Sequence, residues 1–307
     1  MRNRILVLLG ALLAALVTIV PTAGASIGTA ANPVARTATA AVGLNRAATD
    51  VVAHWPDASN TGVPAGGIKL VRTGNRTITQ PGRVIDGLEL RGCLTIVASN
   101  VVIRNSRIIC GNAQSAVHQT STATGLLIEN SELIGAGGGN HAGSGIYSST
   151  PYTARHVEIR GFDDGAFLAS GTVFVHNWVH SLAPGSDAHQ DLLQMVGGSD
   201  VLVVHNRLSH RADQTSGIMI KADVGPISNV LIADNLIAGG YYSVYVYAGA
   251  HGAPRNVTVR GNVITRWVYG AIAVQGPNAI GCNIDPGGRP VVYYDSDQQT
   301  NGRLSPC

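Results

Sequence analysis

Apolar residues recur two apart in a family of short segments: NVVIRNSRI from 100, GLLIENSEL from 125, HVEIRGF from 156, TVFVHNWV from 172, DVLVVHNRL from 200, NVLIADNLI from 229 and NVTVRGNVI from 256. Period two is the signature of a strand, so Val101/Ile103, Val201/Val203, Val230/Ile232 and Val257/Val259 each fall on one face. Five segments then reach Asn105-Ser106, Asn130-Ser131, His205-Asn206, Asp234-Asn235 or Gly261-Asn262. These residue types accept left-handed backbone, which predicts a sharp bend at the same place in each repeat. A second strand series lies between: GIYSS from 145, GAFLA from 165, LLQMV from 192, GIMIK from 217, SVYVY from 243 and AIAVQ from 271. Here Ile146, Ala166, Leu193, Ile218, Val244 and Ile272 are the inward residues. Equivalent positions return about every 25 to 30 residues, with one shorter coil between Val157 and Val173. Short strands in constant phase, with no helical period, predict an all-β solenoid. Parallel crossovers are right-handed almost without exception, so the expected fold is a right-handed parallel β-helix. A β-sandwich would call for antiparallel hairpins and no constant phase.

The remainder of the chain sets the boundaries. Arg2 and Arg4, the apolar run Ile5 to Val20 and the small residues Ala23-Gly24-Ala25 read as a secretory signal peptide over 1–25. Residues 26–52 are rich in Ala, Thr and Asn without a period and read as a flexible leader. The β-helix is expected over 53–285, its first segment near 53–95 capping one end and a tail over 286–307 capping the other. Four cysteines in an exported chain suggest disulfides, most simply Cys93 with Cys110 and Cys282 with Cys307. Charged residues make up only 13% and the formal net charge is +3, with Lys and Arg scattered, which argues against a nucleic-acid partner. The mature protein is thus expected to be extracellular, monomeric and off the membrane, with a polysaccharide as partner.

The outward residues of the second series form columns along the solenoid. One holds His118, Tyr147, Phe167, Gln194, Met219, Tyr245 and Ala273; the next holds Thr120, Ser149, Ala169, Val196, Lys221, Tyr247 and Gln275. The turns before these strands add Asp163, Asp164, Asp187, His189, Asp191, Arg211 and Asp213. Flat rings beside polar groups suit sugars, which present apolar faces and hydroxyl edges. Candidate glycan-contacting residues are therefore His118, Tyr147, Phe167, Gln194, Tyr247 and Gln275. Several positions admit two readings. Asp191 is either a carboxylate facing the glycan or a turn residue bonding the next coil. Lys221 is either a base or a solvated lysine, and Tyr245 and Tyr247 either grip sugar or pack on each other. His176 and His205 fall at the bends of the first series and read as structural.

With these residues in view, the segment from about 53 to 285 resembles the pectate-lyase-like superfamily, and HWPDASNTGVPAG, HQDLLQ, IKADVGPISNVLIADN and GGYYSVYVY resemble secreted actinobacterial β-helix proteins. That superfamily implies polysaccharide lyases, epimerases and glycoside hydrolases. Asp187-Ala188-His189-Gln190-Asp191 is similar to the Asp-Pro-His-Asp motif of mannuronan epimerases, with Ala for Pro and one residue more. Asp163-Asp164, His189-Gln190 and Met219-Ile220-Lys221 follow the order of polygalacturonase motifs, without the arginine and without the earlier aspartate. The first expectation is β-elimination, or C5-epimerisation, on a uronic-acid-containing polysaccharide. Lys221 or His189 would be the base, Arg211 would neutralise the carboxylate and Tyr245 would donate the proton. Calcium held by Asp187, Asp191 or Asp223 could replace Arg211, although no dedicated calcium loop is visible. The alternatives are a glycoside hydrolase using Asp164 and Asp191 as acid and base, and a carbohydrate-binding wall solenoid without catalysis.

Overall fold

The computed structural model describes residues 54–66, 68–111, 114–136, 143–183, 189–211, 213–297 and 302–307. Among these the chain is strand, turn and bend with no helix, and no helix is long and apolar enough to cross a membrane. The strands visit three sheets in rotation. Sheet A runs in nine strands from Val71–Thr73 to Val263–Thr265, and sheet C in nine from Val84–Asp86 to Ala279–Ile280. Sheet B runs in eleven strands from Arg76–Ile78 to Arg303–Leu304. Every neighbouring pair within the three sheets is parallel except the last, Val292–Asp295 with Arg303–Leu304. This is the expected parallel β-helix. The first sequence series comprises sheets C and A joined at the bend, and the second series is sheet B.

The bend is where the sequence predicts it. Asn105, Asn130, His156, His176, His205 and Asp234 all have φ between 46° and 56°, and Gly261 takes the same turn at 67°. The residue that follows points inward. Asn177, Asn206, Asn235, Asn262 and Asn283 are all fully buried and form a ladder. Each side-chain oxygen accepts the backbone N–H of the preceding rung, as Asn206 does from Asn177 at 2.9 Å, and each amide nitrogen donates onward. The ladder satisfies backbone groups that the bend would otherwise leave unpaired in the interior. Successive rungs differ in length: 20 residues separate Val157 from Asn177, 29 separate Asn177 from Asn206, and 21 separate Asn262 from Asn283. The core is the stacked inner faces, including Ile103, Ile128, Val203, Ile232 and Val259 of sheet C and Leu133, Ile159, Val179 and Leu208 of sheet A, all with essentially no exposure.

Both cysteine pairs are bonded as expected, with Cα separations of 4.8 Å for Cys93–Cys110 and 4.6 Å for Cys282–Cys307. The antiparallel strand Arg303–Leu304 and the second disulfide close the C-terminal end. The start of the described N-terminal segment makes its contacts along the flank of the β-helix. The Trp55 ring stacks on His205 at 5.2 Å, the Gly62 N–H donates to the His156 carbonyl, and Thr61 is buried. Residues 54–62 therefore lie along the flank over His156, His176 and His205, because that imidazole column offers flat apolar faces to a tryptophan.

Candidate functional site

Sheet B carries most of the residues singled out in the sequence. Its strands begin at Ser144, Asp164, Asp191, Ser216, Tyr242 and Gly270, which the register places side by side on consecutive rungs. In Asp191–Met195 both Leu192 and Leu193 are fully buried, so strict alternation breaks after the first residue. That break groups the first residue with the fourth: the Gln194 amide donates to Asp191 Oδ2 at 3.4 Å, and the Tyr242 and Tyr245 rings meet edge to face at 5.0 Å. Gly165 and Gly217 occupy the second position because a Cβ there would strike Val179 and Ile237 of sheet A.

The two carboxyls are linked. Asp164 Oδ1 accepts the Asp191 backbone N–H at 2.9 Å, and the Ser216 hydroxyl donates to Asp191 Oδ1. Burial pushes Asp164 up to about 7, opposed by that N–H and reinforced by the charge of Asp163. Burial also raises Asp191 well above the usual carboxylate range, against the Ser216 hydroxyl and with the charge of Asp164 adding. Asp191 is only 1% exposed, whereas Asp164 is half-buried and reachable from outside. Tyr245 is pushed up to about 12, by burial first and then by Tyr242, Tyr247, Tyr269 and Asp191.

Aromatic rings line the column on both sides of this pair. His118 and Tyr147 are 5.4 Å apart, Tyr147 and Phe167 5.0 Å, and Tyr245 and Tyr247 5.5 Å. Phe167 shares a strand with Asp164, and its carbonyl accepts the buried Tyr152 hydroxyl at 2.8 Å, which fixes the strand from inside. Two residues the sequence reading passed over complete the surface: Tyr241 and Tyr269 stack at 4.9 Å, with Tyr269 67% exposed. The only signal for Tyr241 was its place in GGYYSVYVY, and for Ser216 its register with Asp191.

Lys221 is in register with Tyr247 but forms an ion pair with Asp223 at 3.2 Å. Arg211 pairs with Asp213 at 2.6 Å, both side chains well exposed, and His189 is exposed. Gln275 accepts the Ala248 N–H at 3.1 Å, so its amide is engaged with the backbone. Ala273 keeps its place beside Tyr245 in the outward column but is covered, and Tyr294 pairs on its other side. Asp187 lies outside the described residues. Of the other two expected calcium ligands, Asp191 is bonded to Ser216 and Gln194, and Asp223 is paired with Lys221. Among the described residues no three His, Cys, Asp or Glu side chains group as metal ligands would.

Fold and site together define a parallel β-helix protein with carboxyls set among rings on one sheet. No protein-family model matches the chain, and no curated protein matches it. Among solved structures, the crystal structure of Dettilon tailspike protein is similar, with a TM-score of 0.41 and 15% identity. The match covers 74% of this chain and 62% of that one, so the chain spans less than two thirds of the tailspike.

Proposed function

We propose that this protein is an exported, polysaccharide-active member of the pectate-lyase-like group, and that it hydrolyses a glycosidic bond on the outer face of sheet B. The observation that carries the reading is Asp164: a half-buried carboxyl, pushed up to about 7, on the same strand as Phe167, whose ring meets that of Tyr147 at 5.0 Å. A carboxyl still protonated near neutrality can give its proton to a leaving glycosidic oxygen. Asp163, next in the chain and half-buried, is the second carboxylate available to act on water. Asp191 is a positioning residue in this scheme. It is nearly sealed, and its backbone N–H holds the Asp164 carboxyl and opposes the rise that burial imposes on it.

This ordering places hydrolysis ahead of β-elimination. Elimination needs a base, a cation to neutralise the uronate and an acid converging on one sugar. Lys221 and Arg211 are each tied to their own aspartate and His189 is exposed, while Tyr245 feels the charge of Asp191. The test is to incubate the protein with acidic and neutral polysaccharides and follow reducing ends and ultraviolet absorbance. New reducing ends without absorbance, lost in Asp164→Asn, support hydrolysis. An absorbing unsaturated product restores elimination, and no product from any polysaccharide leaves a binding protein.

A further inference from the structure

The turn that delivers Asp191 to sheet B has a second side. A cavity of about 380 Å³ opens there, toward sheet A, lined by Trp178, Gln190, Arg207, His210, Arg211 and Arg266 among others. Gln190 lines it, while the next residue, Asp191, belongs to the carboxyl pair.

The cavity gathers the cationic side chains of Arg207, Arg211 and Arg266. The Arg207 guanidinium lies 5.6 Å from the Trp178 ring centroid, a contact that orients it without neutralising it. Arg266 donates to the Ser209 hydroxyl at 2.8 Å. Among the described residues neither Arg207 nor Arg266 has a carboxylate within ion-pair distance, and the Arg211 partner, Asp213, is exposed. Glu158, in register with Trp178, is already engaged by Arg160 at 3.1 Å and His180 at 3.0 Å. His210 is 8% exposed, and its ring lines the cavity beside the Ser216 backbone. An incoming acceptor would give this nearly sealed ring a further partner. Arginine forks match the paired oxygens of carboxylate and sulfate groups.

We propose that this cavity is a binding site for the carboxylate or sulfate group of an acidic glycan, gripped by Arg207 and Arg266 with His210 behind them. The glycan part rests on the reading of sheet B given above; the anion site stands on its own residues. A polymer docked here by its charge would run toward the sheet B face, since Gln190 and Asp191 are adjacent.

Titration calorimetry at low ionic strength tests this with three probes: inorganic sulfate, an oligogalacturonate and a neutral oligosaccharide of equal length. The expected result is saturable binding of the oligogalacturonate, about tenfold weaker in Arg207→Gln and in Arg266→Gln. Arg83→Gln, an exposed arginine elsewhere, should leave it unchanged, and the neutral probe should be insensitive to all three variants. Arg266 is exposed, so its variant is expected to retain the fold, as a thermal melt will show. Sulfate binding without oligogalacturonate binding overturns the glycan assignment. Absence of both, or an equal loss in Arg83→Gln, overturns the site. Asp164→Asn should keep this binding, so a failure of the hydrolase reading is told apart from a failure here.

Discussion

Asp164 keeps its proton to about pH 7 because burial penalises its charged form more than the Asp191 N–H rewards it. Two predictions follow from that one imbalance. Asp164→Asn removes the proposed proton donor but keeps shape and burial, so under the hydrolase proposal turnover should fall by about 10² to 10⁴-fold while the far-ultraviolet spectrum is unchanged. The second concerns stability. The carboxyl titrates near 3.8 when unfolded and near 7 when folded, so the folded chain holds the proton longer. Its contribution is complete below pH 4 and is lost as pH rises through 7, a difference on the order of 4 kcal/mol. His176 and His210 are each held down to about 4 by burial and act oppositely, weakening the fold as pH falls below 6.5. The readout is therefore a comparison: thermal melts from pH 4 to 8 should show Asp164→Asn gaining stability over the wild type toward neutral pH. Parallel curves for the two proteins would exclude a raised Asp164. For the rings, Tyr241→Ala with Tyr269→Ala should leave the melting temperature within a degree or two, since the stack is at the surface, and weaken glycan binding about tenfold in calorimetry.

Strands, bends and the asparagine ladder form the next scale. Asn206 alone accepts the Asn177 N–H and donates to the Phe174 carbonyl and to Asn235. Asn206→Ala would strand these buried partners and should cost roughly 3 kcal/mol or more, measured by urea unfolding. Asn206→Asp should also destabilise, because it introduces charge and removes the donor. The register of the strands was legible in the sequence, since period two and the recurring Asn/Asp/Gly at the bend fix phase from rung to rung. The outward rings His118, Tyr147, Phe167 and Tyr245 were legible for the same reason. The Asp164–Asp191–Ser216 cluster was only half legible, because alternation predicts the first strand residue to face inward and the buried pair Leu192-Leu193 breaks it. The placement of Lys221 and Arg211 was not legible: each is decided by an aspartate two residues away, and side-chain pairing has no period. The flank position of Trp55 escaped too, as nothing in its own segment names His205 as its partner.

For the molecule as a whole, each rung touches only its neighbours, so stability is shared along the axis and weakest toward the ends. The two disulfides sit near those ends, at Cys93–Cys110 and Cys282–Cys307. Reduction should lower stability by roughly 3 kcal/mol for each bridge. Hydrogen exchange should then show terminal strands such as Val292–Asp295 losing protection before the central Asp191–Met195 and Ser216–Lys221. Simultaneous loss everywhere would contradict rung-by-rung coupling. The unequal rungs have a consequence of their own. A circuit of 20 residues closes around the same interior as one of 29. Whatever a longer circuit carries beyond the minimum is idle as architecture. Mutation can lengthen, trim or rewrite those excursions without disturbing the stack, so this lineage can change what it grips while the column beneath stays as it is.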